Sequence, residues 1–223
     1  MKAAVVDRYG RPEVVRIAEV EKPTPRDHEL LVKVHATTVN RTDTGVRLGK
    51  PFLLARLFYG LTRPKATVLG CEFAGEVGAV GNAVPSFKVG DRVFGFAVGF
   101  GARGEFGAHA EYMLVLEDGL VATMPANLSF ADAAPSTEGF TYALGLIRNA
   151  GIRSGQNVLI YGATGAIGSA AVQIVKSPGA SVTGVCATAD MELVRGLGAD
   201  RVVTMSSYDC ESLCTPRPTV VSR

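Results

Sequence analysis

Three glycines spaced three apart, Gly162, Gly165 and Gly168, follow directly on the apolar run Val158-Leu-Ile-Tyr161. Ile167, Ala170, Ala171, Ile174 and Val175 then recur three and four residues apart, the period of one helix face. The pattern is a buried strand, a glycine turn and a helix N-terminus, the order in which a chain can hold a diphosphate. Gly162 permits the tight turn, Gly165 lets backbone approach an anion, and Gly168 lets the helix lie close to the strand. The first-turn N–H groups then face the anion with the helix dipole behind them. The expected cradle is Gly162, Ala163, Thr164, Gly165, Ala166, Ile167 and Gly168. The same spacing also marks ordinary strand-to-helix turns.

The surroundings decide between those readings. A second strand is expected at Ser181–Cys186 and a third at Arg201–Thr204, with a helical stretch at Met191–Leu197 between them. That βαβαβ succession is half of a doubly wound parallel sheet that takes a dinucleotide. An acidic residue at the end of the second strand would hold a ribose 2′-hydroxyl. Here that place reads Cys186-Ala-Thr188, with Asp190 further on. The missing carboxylate leaves room for a 2′-phosphate, to which the Thr188 hydroxyl can donate, so NADPH is expected ahead of NADH. No Lys or Arg adjoins Thr188, and Arg195 is nearly two helical turns away.

The region before the glycine turn has a different texture. Short runs recur at Lys2–Val6, Val14–Val20, Leu30–His35, Glu72–Val80, Arg92–Phe96, Ala108–Val115 and Leu120–Met124. Turn formers such as Tyr9-Gly10, Gly81-Asn82 and Val89-Gly-Asp91 separate them, as in a small barrel or curled sheet. Pro51–Leu61 is apolar and aromatic enough for a short helix or lid. Ser129 is a helix cap before Phe130–Ala134, Pro135 interrupts that helix, and another pattern runs from Gly139 to Ala150 with Tyr142, Leu146 and Ile147 on one side. The division follows: a first domain at 1–125, a nucleotide domain at 126–205, and an irregular tail at 206–223.

Bulk properties limit the partners. Of 223 residues 47% are apolar and 20% charged, with a formal net charge of +2, and the basic residues are scattered. Nothing suggests a nucleic-acid surface. No apolar run reaches the roughly 18 residues of a membrane-spanning helix, and the start MKAAVVDRYG lacks a secretory apolar segment. The four cysteines, 71, 186, 210 and 214, form no CxxC pair, so the expected setting is a reducing cytoplasm.

With these motifs in order, the chain resembles the medium-chain dehydrogenase/reductase superfamily, in its zinc-free quinone oxidoreductase branch. The resemblance rests on Asn40-x-x-Asp43-x-x-x-Arg47-x-Gly49, Gly70-Cys-Glu-Phe-Ala-Gly-Glu-Val77, Phe87-x-x-Gly90-Asp-Arg-Val93, Gly107-Ala-His-Ala-Glu-Tyr112, Glu138-Gly-Phe-Thr-Tyr142 and Gly162–Gly168. It implies an α/β fold with a β-barrel, GroES-like N-terminal domain followed by a Rossmann domain. The activity it implies is hydride transfer from NADPH or NADH to a quinone, enone or aldehyde. Zinc-dependent relatives carry Cys at Asn40 and His at Cys71. Cys71, Glu72 and Glu138 are poor substitutes for three converging ligands, so no zinc is expected. Without a metal, an amide in place of the metal can stabilise charge on the substrate oxygen. Asn40 matches that position, although it can equally tie down the loop after a strand. Thr141 matches a position against the nicotinamide, or is a packed helix residue. Asp43 and Arg47 are expected as a buried ion pair, His109 as a structural histidine or proton donor, and Tyr112 as core.

The resemblance also implies about 100 further residues beyond Thr204, from usual domain sizes. Met205–Arg223 has neither strand nor helix period and reads like a frame lost after Tyr208. The expected sheet is therefore incomplete, with Val158–Tyr161 as an exposed apolar edge. The usual family oligomer does not carry over, and a catalytically inactive truncated remnant with partial nucleotide binding is the alternative function.

Overall fold

A computed structural model of the chain describes residues 1–49, 57, 59–65, 67–97, 107–204 and 219–221. The chain folds as two compact units, Met1–Thr137 and Glu138–Arg223.

In the first unit, β1 (Lys2–Val6) pairs antiparallel with β2 (Val15–Glu19). The other strands are β3 (Glu29–Thr37), β4 (Glu72–Val80), β5 (Arg92–Phe96), β6 (Tyr112–Leu116) and β7 (Val121–Thr123). They form one antiparallel sheet in the order β6-β3-β4-β5-β7. Isolated bridges Ala3↔Ala110 and Val5↔Val68 tie the β1–β2 ribbon to the loops before β4 and β6. Leu30, Leu31 and Val32 of β3 are all buried, where alternation would expose the middle one. The β3–β4 register shifts between Leu31 and Val32, and such a bulge twists the strand so that successive residues can face apolar surroundings. The core gathers Leu30, Val32, Phe73, Val77, Val93 and Met113. A short helix, α1 (Arg41–Leu48), follows β3.

Two expectations shift here, and a third falls mostly outside the described residues. The strand expected at Ala108–Val115 begins only at Tyr112, because Gly107, Ala108 and His109 donate backbone N–H groups to Gly70 and Leu69 instead of to a ladder. Of the Pro51–Leu61 helix or lid, residues 51–56 and 58 lie outside the described residues. The first compact unit also runs past 125. Met124 and the short helix α2 (Phe130–Ala133) cluster with Ala74 of β4, and Ala36 and Phe94 pack on them. Ser129 caps α2 by accepting from the Asp132 N–H, and a 3-10 turn at Ala134–Ser136 follows where Pro135 interrupts.

The second unit opens with α3 (Glu138–Ala150), then β8 (Asn157–Tyr161), α4 (Ala166–Lys176), β9 (Ser181–Cys186), α5 (Met191–Gly196), β10 (Arg201–Thr204) and β11 (Thr219–Val221). Its sheet is parallel, in the order β10-β9-β8-β11. The buried stripe of α3 is Gly139, Ala143 and Ile147, an i, i+4 row of growing size. Tyr142 and Leu146, expected on that side, are exposed at 45% and 38%.

The tail corrects a larger expectation. It is not irregular throughout: Thr219, Val220 and Val221 pair parallel with Val158, Leu159 and Ile160. The sequence Thr-Val-Val is β-branched, which suits a strand, and the unpaired backbone of β8 offers it a template. β8 is therefore interior, not an edge. The order reverses at β8, with β9 on one side and β11 on the other. In such sheets the crevice beyond the carboxyl ends of the strands opens at that switch point.

Candidate dinucleotide site

The carboxyl end of β8 carries the first half of the site. Val158, Leu159 and Ile160 are at most 2% exposed, so the strand enters the turn fixed in place. Gly162 has φ +75°, a left-handed conformation that glycine takes without the penalty of a Cβ. Its N–H and that of Ala163 both donate to the Val185 carbonyl of β9 at 3.0 Å, and Gly165 N–H donates back to Gly162 O at 3.0 Å. Ala163 is fully buried, whereas Thr164, Gly165 and Ala166 are exposed at the crest of the turn.

Helix α4 starts at Ala166 behind Gly165, whose backbone is extended and which supplies no side-chain cap. The N–H groups of the first turn, from Ala166 to Gly168, thus point outward without a capping side chain. A Cβ at Gly168 would lie 2.1 Å from Gly162 O, so only glycine lets the helix approach the strand this closely. A Cβ at Gly165 would meet only Gly162 O, at 3.5 Å, so the fold itself would accept a side chain there. The cradle is uncapped, close to backbone and exposed. These residues fit a dinucleotide diphosphate, which they would hold through N–H donors and the helix dipole.

At the end of β9 the Cys186 thiol is buried, and burial pushes its pKa up. Thr188 is exposed in the 3-10 turn Thr188–Asp190, which Asp190 N–H closes on Ala187 O at 3.0 Å. Arg195 pairs with Glu192 on α5. Gly162–Gly168 and Thr188 thus belong to neighbouring strand ends of one sheet. Thr141 is exposed on α3, two residues beyond Gly139.

Asn40 belongs to the first unit, where it caps α1. Its Oδ1 accepts from Asp43 N–H at 3.0 Å and Asp43 Oδ2 accepts from Asn40 N–H at 3.1 Å, a reciprocal capping box. Its Nδ2 donates to Cys71 Sγ at 3.1 Å and to Glu72 Oε2 at 3.2 Å. Glu72 is buried and also accepts from the hydroxyls of Thr38, at 2.5 Å, and Thr137, at 3.1 Å. Glu72 is the centre of a polar cluster whose donors come from distant stretches of chain. No local signal announces it.

The expected Asp43–Arg47 ion pair does not form. Asp43 Oδ1 accepts from Gly70 N–H at 3.0 Å, its Oδ2 lies 3.8 Å from His109, and Arg47 donates to Gly10 O instead. Burial holds the Asp43 carboxyl above its ordinary pKa, against the N–H groups that favour its charged form. His109 Nε2 is 2.8 Å from the Thr38 carbonyl, an acceptor only, so that nitrogen carries the proton and the ring is held structurally. Tyr112 is only half-buried, its ring covered by the Lys22 ammonium 3.7 Å from the centroid. Asp43 and His109 border a groove of about 960 Å³ in this unit, lined by apolar groups such as Val6, Ile17 and Leu69 and also by Lys2, His35, Arg47 and Glu111. Among the described residues no group of three His, Cys, Asp or Glu is placed to hold a metal ion.

Comparison with known proteins places these features in a series. Residues 26–126 match the alcohol dehydrogenase GroES-like domain. The chain is 38% identical to quinone oxidoreductase of Sus scrofa over 190 residues, covering 84% of this chain and 53% of that protein. It is 35% identical to 2-methylene-furan-3-one reductase of Solanum lycopersicum over 218 residues, covering 96% and 54%. The solved quinone oxidoreductase of Coxiella burnetii superposes with a TM-score of 0.83 at 28% identity, covering 100% of this chain and 68% of that one. The chain spans about half the length of the curated relatives it matches.

Proposed function

The chain belongs to the medium-chain dehydrogenase/reductase superfamily, in its quinone oxidoreductase branch, and from that membership we propose an NADPH-dependent reductase of quinones, enones or aldehydes that works without zinc. The observation that carries the proposal is the uncapped, exposed N-terminus of α4 behind the Gly162 turn. NADPH, when bound, supplies the hydride that reduces the substrate. The chain's own residues bind, orient and neutralise.

Backbone N–H groups from Ala166 to Gly168 hold the diphosphate, and Gly162 and Gly168 keep that backbone in position. At the adenosine end, the exposed Thr188 hydroxyl donates to a 2′-phosphate. A ribose 2′-hydroxyl would find no carboxylate in Cys186-Ala-Thr188, which favours NADPH over NADH. On the substrate side the proposed residues are Asn40 and Thr141. Both amide hydrogens of Asn40 are engaged, so it reaches a substrate oxygen by releasing one of them. The bond to Cys71 is the cheaper to give up, because a thiol sulfur is a weak acceptor. The retained bond to Glu72 keeps the amide plane oriented.

A zinc-free reaction is supported by the donor set: Cys71 and Glu72 converge on Asn40 Nδ2, an amide hydrogen-bond donor that is no metal ligand. The names of the relatives speak for a reductase, and none favours an inactive remnant. The proposed setting is the cytoplasm, and the proposed partner is a small carbonyl or quinone substrate, with neither nucleic acid nor membrane. Among the described residues no helix is long and apolar enough to cross a membrane.

Fluorescence titration with NADPH and NADH, followed by addition of a naphthoquinone, tests the proposal. NADPH should bind more tightly and be oxidised on quinone addition, with less than about a tenth of a zinc ion per chain by elemental analysis. Failure of both coenzymes to bind at millimolar concentration would reject it.

A further inference from the structure

The helix preceding the glycine turn comes up against the start of α4 at Gly139. A Cβ at Gly139 would lie 2.6 Å from the Ala166 carbonyl oxygen, 2.7 Å from its carbonyl carbon and 3.1 Å from its Cβ. Gly139 is buried and heads the inward stripe of α3, with Ala143 and Ile147 behind it. Its obstacle is backbone, not the movable end of a side chain. We propose that Gly139 is a positioning residue for the diphosphate cradle, setting the orientation of the first peptide planes of α4. This deepens the function proposed above and rests on it.

The coupling follows from the geometry of one peptide group. The Ala166 carbonyl and the Ile167 N–H belong to the same rigid plane. Pressure on that oxygen tilts that N–H, one of the donors assigned to the diphosphate. The same carbonyl also accepts from Ser169 Oγ at 3.2 Å, so it is held from the side of α4 as well. Any side chain at 139 must push Ala166 and the first turn of α4 or move the start of α3. The growth from Gly139 through Ala143 to Ile147 puts the tightest approach at the turn itself. The adenosine end, at Cys186–Thr188, belongs to β9 and its following turn and is not in this contact.

Gly145, in the same helix, provides the control. It is exposed, and a Cβ there meets nothing within 4 Å. Both substitutions exchange a helix glycine for alanine, and of the two only the one at 139 brings a Cβ against the Ala166 backbone.

The test compares Gly139→Ala, Gly145→Ala and the wild-type chain, each titrated with NADPH and with adenosine 2′-monophosphate, which lacks the diphosphate. Melting curves and the Ile167 amide resonance of the free proteins are recorded alongside. Gly139→Ala should weaken NADPH binding at least tenfold, leave the monophosphate within twofold, and shift the Ile167 resonance before any ligand is added. Gly145→Ala should change none of these. The proposal is overturned if Gly139→Ala binds NADPH within twofold of wild type. It is overturned equally if both ligands weaken in proportion, or if the variant does not fold, since the glycine would then serve packing alone. A wild-type chain that ignores NADPH would remove the dinucleotide reading and this inference with it. Normal wild-type binding with an unaffected Gly139→Ala removes the inference only.

Discussion

Asn40 Nδ2 stands 3.2 Å from Oε2 of the buried Glu72, while its Oδ1 caps the helix that follows. One side chain thus closes a helix terminus and supplies a donor to a buried carboxyl group. Asn40→Ala removes both and should destabilise the first unit by about 2–4 kcal/mol, the sum of a lost cap and a buried acceptor left one donor short. Asn40→Ser keeps a capping oxygen and should cost about half as much. Urea unfolding measures both. Equal losses for Ala and Ser would show that the cap contributes nothing.

The three turn glycines should separate in their effects. Gly168→Ala drives a Cβ to 2.1 Å from Gly162 O and should cost about 1–3 kcal/mol through overpacking. Gly162→Ala must hold φ +75°, which costs about 1–2 kcal/mol. Gly165→Ala meets only an ordinary contact and has φ −70°, so its melting temperature should match wild type. Coenzyme binding should nonetheless fall in Gly165→Ala, since the methyl group occupies the approach to the diphosphate. Unchanged binding in that variant would mean the ligand does not come as close as proposed.

Two aspartates should give opposite pH dependences. The backbone N–H of Val182 and then Lys176, 2.9 Å away, hold Asp200 below its ordinary 3.8. Its folded pKa is depressed, so its contribution is present above about 3.8 and is lost as pH falls through the folded value. Asp200→Asn should therefore be less stable than wild type at pH 7 and equal to it in strong acid. Asp43 is raised above the same ordinary value of 3.8 by burial. Its contribution is greatest below that value and shrinks as pH rises through the raised one, so the gap between wild type and Asp43→Asn should narrow with rising pH. Urea midpoints across pH 2–7 distinguish these slopes; parallel curves would run against both assignments.

Much of the second unit was legible in the sequence. The strand at 157–161, the glycine turn and α4 follow from a buried apolar run, residues suited to φ > 0 and a 3.6-residue period, all local properties. The alignment of α3 was not, because Tyr142, Leu146 and Ile147 look like an apolar face, yet close contact with α4 selects the smaller Gly139 and Ala143. The Glu72 cluster was illegible for a different reason. Thr38 and Thr137 acquire meaning only when the chain brings them to one carboxyl group from far apart. Asp43 and Arg47, one helical turn apart, invited an ion pair, but the capping box and Gly70 N–H claimed the carboxylate first.

The tail offers a further test. Thr219–Val221 covers the side of β8 that would otherwise present unpaired backbone. Deleting 205–223 should expose Val158–Ile160 as an edge, lower the melting temperature and raise light scattering on heating. A deletion variant as stable and as soluble as the full chain would show that β11 contributes nothing to the sheet.

The proposed chemistry stands or falls with the N–H groups at the head of α4 receiving the diphosphate. Titrating the ¹⁵N-labelled chain with NADPH and following each amide reads those groups one by one. The largest saturable shifts should fall at Thr164–Gly168, with a second set at Thr188 that NADH reproduces only weakly. Resonances of Thr164–Gly168 that stay fixed while NADPH saturates another part of the protein would refute it.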